Sequence, residues 1–208
     1  AGGTLTAIGT LGNGGTLDAT SSALAYDGAT LRLNAHVRGT PAAPVADVGA
    51  LVQRAKLGGI GLAANAFAHY ENGTLRVTDA RAIALDSYAD AAGTMTHLAG
   101  GGSPAIDFTA NVHGAQIAPL ARALHVPLKY PEGELDAALH ATGALDAPQI
   151  AGTVSIPQGS LNGLDFSNAS VAIAGTPHDL QARNGSVKVG TTAIAFAAEA
   201  GPVRQHFT

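Results

Sequence analysis

The chain has 208 residues, of which 12% are charged and 4% are aromatic, with 27 glycines and no cysteine or tryptophan. Its formal net charge is −4 and its eleven lysines and arginines are scattered, which excludes the basic patch that nucleic acid or an anionic membrane surface requires. The absence of cysteine excludes disulfides, thiolate catalysis and cysteine-bound metal.

Alternating apolar and polar residues dominate the chain, and this period of two predicts strands. The pattern begins in ATLRLNAHVRG (29–39), continues in AIDFTANVHG (105–114) and ELDAALHATG (134–143), and returns in TAIAFAAEA (192–200). Each strand then has one apolar and one wet face, as antiparallel sheets do. Asn-Gly signals such as ENG, LNG and RNG predict turns between strands.

Two segments do not follow this alternation, and their spacing predicts short helices. VADVGALVQRAK (45–56) and IAPLARALHV (117–126) place apolar residues three and four positions apart. We therefore expect a mainly β protein that contains two short helices.

A degenerate repeat runs through the chain. YDGATLRLNAHVRGTPAAP (26–44) aligns with YPEGELDAALHATGALDAP (130–148) after one insertion, and YENGTLRV begins in the same way. Uneven spacing argues against a tandem array of fixed length. We expect residues 1–208 to be a single segment of a longer repeating protein, with sub-units of approximately 1–45, 46–100 and 101–208.

The inward positions of the predicted strands are mainly Ala, Val, Leu and Ile, with five phenylalanines in the whole chain. A sandwich of two sheets usually needs bulkier residues to fill the space of about 10 Å between its layers. The composition therefore favours an elongated antiparallel sheet that curls into a groove with its apolar face inside. Sandwiches, barrels and β-solenoids share the alternation and stay open as alternatives.

The stretch GELDAALHATGALDAPQIAGTVSIPQGSLNGLDFSNASVAIAG (133–175) resembles the TamB and AsmA-like proteins of diderm bacteria. The recurring unit of that family is a strand, Gly-x-Leu, two spacers, Pro-x-apolar-x-Gly and a further strand. The positions of this unit are filled here by Gly143, Leu145, Pro148, Ile150 and Gly152. The resemblance is clear over about 100–175 and looser over 5–90, and its motif is a pattern of Gly, Pro and aliphatic residues.

This resemblance implies a β-groove of the kind called a β-taco, which stands in the periplasm and carries glycerophospholipid from the inner toward the outer membrane. In the family an N-terminal helix anchors the protein in the inner membrane, and the translocation and assembly module subunit TamB also aids outer-membrane protein assembly with a partner barrel protein. We expect the anchor and the C-terminal region that meets that partner to lie outside this sequence. We expect adjoining repeats of the same chain to lie beyond it.

Under this hypothesis the protein is not an enzyme, needs no cofactor or metal, and binds phospholipid acyl chains along a groove. The residues predicted to line the groove are Ile106, Phe108, Val112, Leu135, Leu139, Ile150, Val154, Ile156, Val171, Ile173, Val187, Val189, Ile194 and Phe196.

Candidate chemical motifs are weak. The eight histidines do not follow zinc-binding spacings, and His36, His113 and His140 fall on predicted polar faces, where solvated histidines are ordinary. GGIGLAA (58–64) contains Gly-x-Gly-x-x-Ala but follows a helix-like segment, the reverse of a dinucleotide site. The acidic residues nearest to a cluster, which we expect to be solvated, are Asp86, Asp90, Glu132, Glu134 and Asp136.

Two other classes of function stay open. An autotransporter-type β-solenoid with a structural or adhesive role would show coils of near-constant length and stacked like residues, which the uneven spacing does not favour. A sugar-binding or hydrolytic β-sandwich lacks the tryptophans and clustered acids it would need.

Overall fold

The computed structural model describes residues 3–11, 14–26, 29–57, 60–99, 102–123, 127–177 and 179–200. Within these ranges the chain forms fourteen strands and one helix. The strands are β1 (Leu5–Gly9), β2 (Thr16–Ser21), β3 (Leu24–Tyr26), β4 (Ala29–Thr40), β5 (Ala43–Leu57), β6 (Ile60–Glu71), β7 (Thr74–Ala84), β8 (Ser87–Thr96), β9 (Ala105–Gln116), β10 (Glu132–Ala144), β11 (Gln149–Leu161), β12 (Leu164–Thr176), β13 (Asp179–Val189) and β14 (Thr192–Ala200), and the helix is α1 (Ile117–Ala123).

All fourteen strands belong to one open sheet. From β4 onward each strand pairs antiparallel with the next one along the chain, while β2 and β3 both pair with β4, and β1 and β14 are the two edges. This architecture confirms the predicted fold class, a mainly β protein built as an elongated antiparallel groove, with one helix in place of the two expected.

Asn-Gly dipeptides make two of the hairpin turns. Asn72 and Gly73 join β6 to β7, and Asn162 and Gly163 join β11 to β12. All four residues have positive φ, between 49° and 77°, as two-residue hairpins of the primed type require. The turn predicted at RNG was wrong, because Asn184 lies inside β13, where its φ of 52° accompanies a shift in register.

The sheet has no second layer packed against it in the described part of the chain. The only hydrophobic residues there that are buried are Ala115 and Ala121, which are 9% and 7% exposed. Side chains on the inward face are mostly half-buried, because their strand neighbours cover their flanks while their tips stay uncovered. The sheet therefore holds together through its ladders and lateral contacts, without a conventional core.

The helix predicted over 45–56 was wrong. Residues 43–57 form β5, which pairs along its length with β4 on one side and β6 on the other. The same residues also alternate, with Val48 and Val52 on one face and Asp47 on the other, and Leu51 on the polar face produced the helical spacing. Sheet pairing on both sides outweighs a weak local preference.

The helix predicted over 117–126 is confirmed over Ile117–Ala123, and residues 124–126 lie outside the described residues. Arg122 stands in its last turn, where a cation is favourable, and its Nε donates to the carbonyl oxygen of Ala118 over 3.2 Å. Ala121 is buried, and the helix contacts the adjoining ends of β9 and β10. It is the one described element outside the sheet.

Candidate functional site

One face of the sheet is apolar across nearly all of its strands, and we call it the apolar face. A single row of directly paired residues shows its continuity: Ala35, Val48, Ala68, Val77, Gly93, Phe108, Ala141, Ile150 and Gly175. The row crosses nine strands, so at about 4.8 Å per strand it spans roughly 38 Å. Exposed apolar surface of this extent marks an interaction site more often than a passive surface.

The bulges maintain the apolar face. Arg54, with a φ of 57°, lies where the register between β5 and β6 shifts, and Ala55 then pairs with Leu62 on the apolar face. Gly114, with a φ of 63°, does the same between β9 and β10, after which Ala115 pairs with Leu135. An extra residue in one strand would otherwise turn the apolar side chains outward.

The structure places all fourteen predicted groove residues on the apolar face. Cross-strand pairing brings together Phe108 with Ile150 through Ala141, and Val112 with Val171 through Ala137 and Val154. At the far edge Val187 pairs with Ile194, and Phe196 covers Gly185. Twelve of the fourteen are half-buried, whereas Ile194 and Phe196 on the edge strand are 46% and 43% exposed.

The part of the apolar face that lies in β5–β8, which we call the alanine region, was not predicted from the sequence. Its inward side chains include the alanines Ala46, Ala50, Ala64, Ala66, Ala68, Ala80, Ala82, Ala89 and Ala91. Most of these, with Val52 and Ala110, line a cavity of about 210 Å³. The signal is present in the sequence as Ala64, Ala66 and Ala68 in GLAANAFA (61–68), but alanine is too small to mark a groove by hydrophobicity alone.

The larger side chains lie on the apolar face of β9–β13, which we call the aliphatic region. They are half-buried and fill the spaces above the backbone that alanine leaves empty in the other region. Its main members are Phe108, Leu139, Ile150, Val154, Val171, Ile173 and Leu180.

The opposite face, which we call the polar face, carries pairs of aspartate and histidine on different strands. His36 bonds Asp18, His69 bonds Asp47 and His140 bonds Asp107, each over 2.7 Å. The three histidines predicted to be solvated do lie on this face, and His36 and His140 are paired with carboxylates. Hydrogen-bonded polar pairs between strands stabilise a sheet modestly and keep this face hydrated.

Asp47 pairs with two side chains on this face. Its carboxylate accepts hydrogen bonds from His69 over 2.7 Å and from Arg38 over 3.0 Å. The hydrogen bond from His69, aided by the hydrogen bond and charge of Arg38, lowers the pKa of Asp47 below its usual value of 3.8, and a smaller desolvation effect opposes this.

Two of the five predicted acidic residues approach a common histidine, and all five lie at exposed or half-buried positions of strands or turns. Asp86 lies in the turn between β7 and β8, and the three acids of the PEGELD segment lie along β10. Asp90 and Asp136 approach the same histidine, His113, at 3.4 and 4.0 Å, and the His113 ring stacks on Tyr88 with centroids 4.6 Å apart. All of these groups are substantially exposed, which gives a catalytic acid no shielded cleft.

The glycine motif and the histidines give no phosphate or metal site within the described residues. GGIGLAA begins with two residues outside the described ranges and continues as β6, and a strand in that place does not offer the helix start of a phosphate site. Among described residues no group of three or more His, Asp or Glu side chains is arranged to hold a metal ion. None of the helices described is long and apolar enough to cross a membrane.

Comparison with known proteins finds no matching family model, curated protein or solved structure. Its function is therefore argued from the surface itself.

Proposed function

We propose that this chain is a segment of a periplasmic hydrophobic β-groove, of the TamB and AsmA-like kind, that shields phospholipid acyl chains and moves them between the inner and outer membranes. The observation that carries the proposal is the apolar face, which runs from strand to neighbouring strand and, apart from helix α1 at the ends of β9 and β10, has no protein layer over it in the described residues.

The physical basis is the cost of exposing acyl chains to water. Removing each methylene from water is worth about 0.8 kcal/mol, so a lipid crosses an aqueous space only if its chains stay covered. The row of paired residues spans roughly 38 Å, more than twice the half-thickness of a bilayer core, about 15 Å. One or more acyl chains can therefore lie along the apolar face.

The two faces of the sheet have different roles in this proposal. The hydrated polar face, with its aspartate–histidine pairs, leaves the apolar face as the side that takes lipid. Contact with an alkyl chain needs no directional group, which accounts for a sequence poor in reactive residues. Under this proposal the protein is not an enzyme. The full-length protein would be anchored in the inner membrane, with adjoining repeats of the same chain and an outer-membrane barrel assembly protein as partners.

The alternative role, an adhesive β-solenoid, has less support. Coils of a β-helix stack in parallel, whereas every strand pair here is antiparallel. An adhesin of this kind would also contain no phospholipid after purification.

Lipid content gives the first test. We expect phospholipid to co-purify with the chain from a diderm host, seen by native mass spectrometry and by extraction with organic solvent. Delipidated protein should take up phospholipid from vesicles. Protein that stays lipid-free in both experiments would contradict the proposal.

Substitutions at two neighbouring residues test which face of the sheet binds lipid. Val154 lies on the apolar face between Ala137 and Val171, and Thr153 lies exposed on the polar face. Val154→Asp should reduce bound lipid about tenfold or more, because a carboxylate under an acyl chain loses hydration without gaining a partner. Thr153→Asp introduces the same charge one residue away and should bind lipid as the wild type does.

A further inference from the structure

Helix α1 makes one part of the apolar face different from the rest. A second cavity of about 210 Å³ lies where the helix meets the sheet, at the ends of β6–β9. Leu120 of the helix lines it from one side, and Leu62, Ala84, Val112 and Ala115 line it from the sheet. The apolar face is open to solvent elsewhere, whereas here the helix adds apolar contacts from a second direction.

This cavity continues into the groove. Ala82 and Ala89, a directly paired couple on β7 and β8, line both this cavity and the one in the alanine region. A flexible chain that lies along the alanines can therefore extend beneath the helix without crossing a polar barrier.

The lining offers a polar ligand few partners. Gln116 and Ser87, two polar residues in the lining, are already bonded within the protein, to the Asp86 carboxylate over 3.4 Å and to the Ala84 carbonyl oxygen over 2.6 Å. The ring of Tyr88 stacks on His113. Water in an apolar cavity needs two or more polar partners to be stable, so the chemistry of this cavity fits an alkyl group.

We propose that the cavity beneath α1 is a binding site for the terminal part of one alkyl chain, whose remainder lies along the alanine region. This inference rests on the proposed function and adds a fixed position to it. A chain held on two sides leaves more slowly than one lying on an open sheet, so this site retains a lipid while the rest of the face lets it slide.

The test uses lysophosphatidylcholine with a diazirine on the terminal carbon of its acyl chain. After irradiation, mass spectrometry locates the attached probe. We expect attachment to residues 117–123 and to the β-strand residues that line the cavity. Attachment to β10–β13 alone would overturn the inference and leave the proposed function standing, and no attachment to any part of the chain would contradict both.

A substitution that fills the cavity provides a second test of this site. Ala84→Trp should lower attachment at α1 about tenfold, since displacing two or three methylenes from an apolar site costs that much affinity. Ala63→Trp is the matched control, because Ala63 lies exposed on the polar face of the neighbouring strand and should leave attachment unchanged. Attachment along β11 reports that the sheet is intact in each variant. Unchanged attachment at α1 in Ala84→Trp would overturn the inference.

Discussion

The alanine region and the aliphatic region belong to the same sheet but differ in the size of their side chains. In β5–β8 the direct pairs Ala50–Ala66, Ala66–Ala80 and Ala80–Ala91 run side by side, and a cavity lies above them. In β9–β13 the corresponding positions include Leu139 and Ile173, with Gly152 between them. The first arrangement provides depth, and the second provides contact area.

This difference shows that a groove for lipid can be built in two ways. Small side chains let an acyl chain approach the sheet closely, and larger ones surround it from the flanks. Because dispersion contacts depend on close approach, both arrangements can hold a chain. Substitutions that change one region at a time, each with a control on the polar face or at an open position, separate the two contributions.

Filling the alanine region should have the largest effect. Ala66 and Ala80 pair directly on the apolar face, and replacing both by Phe would occupy the cavity above them. We expect bound phospholipid to fall about tenfold, because several methylenes lose their apolar contacts. Ala151 and Ala174 form an equivalent pair exposed on the polar face, and Phe at both should leave lipid content unchanged. Equal losses in the two double variants would show that the faces do not differ.

The junction of the regions is sensitive to a single methyl group. A Cβ on Gly93 would overlap the Asp107 carbonyl oxygen and come within 2.7 Å of the Phe108 ring. Gly93→Ala should therefore lower the free energy of unfolding by about 1–3 kcal/mol in urea denaturation. A Cβ on Gly61 would meet nothing within 4 Å, so Gly61→Ala should be neutral or stabilising by up to about 1 kcal/mol. Equal effects at the two glycines would contradict the packing described at the junction.

Shortening a side chain in the aliphatic region should have a smaller effect. Ile173 is half-buried, and Ile173→Ala should lower the free energy of unfolding by about 1 kcal/mol, less than in a closed core. Lipid affinity should fall only a few-fold, since neighbouring aliphatic residues stay in contact with the chain. A loss as large as that of the alanine-region double variant, measured by vesicle uptake, would mean that contact area matters more than depth.

The fold was predictable from the sequence where alternation is strict. Residues 105–114 and 134–143 are predicted as strands because apolar residues alternate with polar ones, and these strands indicated the antiparallel groove. Residues 45–56 misled because Leu51 stands on the polar face, and only the neighbours β4 and β6 reveal the strand. The register between strands depends on bulges such as the one at Arg54, and the local sequence pattern does not predict where these bulges lie.

The candidate surface was predictable in its large residues and missed in its small ones. The large apolar residues from Ile106 to Phe196 are recognisable by their hydrophobicity, whereas the alanines of β5–β8 matter through the space they leave. A cavity is a property of several strands together, so the alternation of alanine within one strand does not reveal it. The polar pairs, such as His140 with Asp107 thirty-three residues away, likewise require the register.

Lowering the pH should produce the smallest effect on stability, through Asp47 on the polar face of β5. Because the pKa of Asp47 is lowered in the folded chain, its ionised form stabilises the fold fully above the ordinary value of 3.8. That contribution disappears as the pH falls from about 4 through the lowered pKa. Asp47→Asn should therefore lose less stability than the wild type over this range, in urea denaturation followed at several pH values. Parallel pH profiles would contradict the assigned bonds to His69 and Arg38.

The most direct measurement is a scan with a photoreactive amino acid along two strands, one in each region, in protein loaded with phospholipid. We expect lipid attachment at Ala64, Ala66 and Ala68 of β6 and at Ile150, Gly152 and Val154 of β11, and background levels at the residues between them. This period of two would identify the apolar face as the lipid-binding surface in both regions. Attachment without alternation, or no attachment on either strand, would contradict that claim.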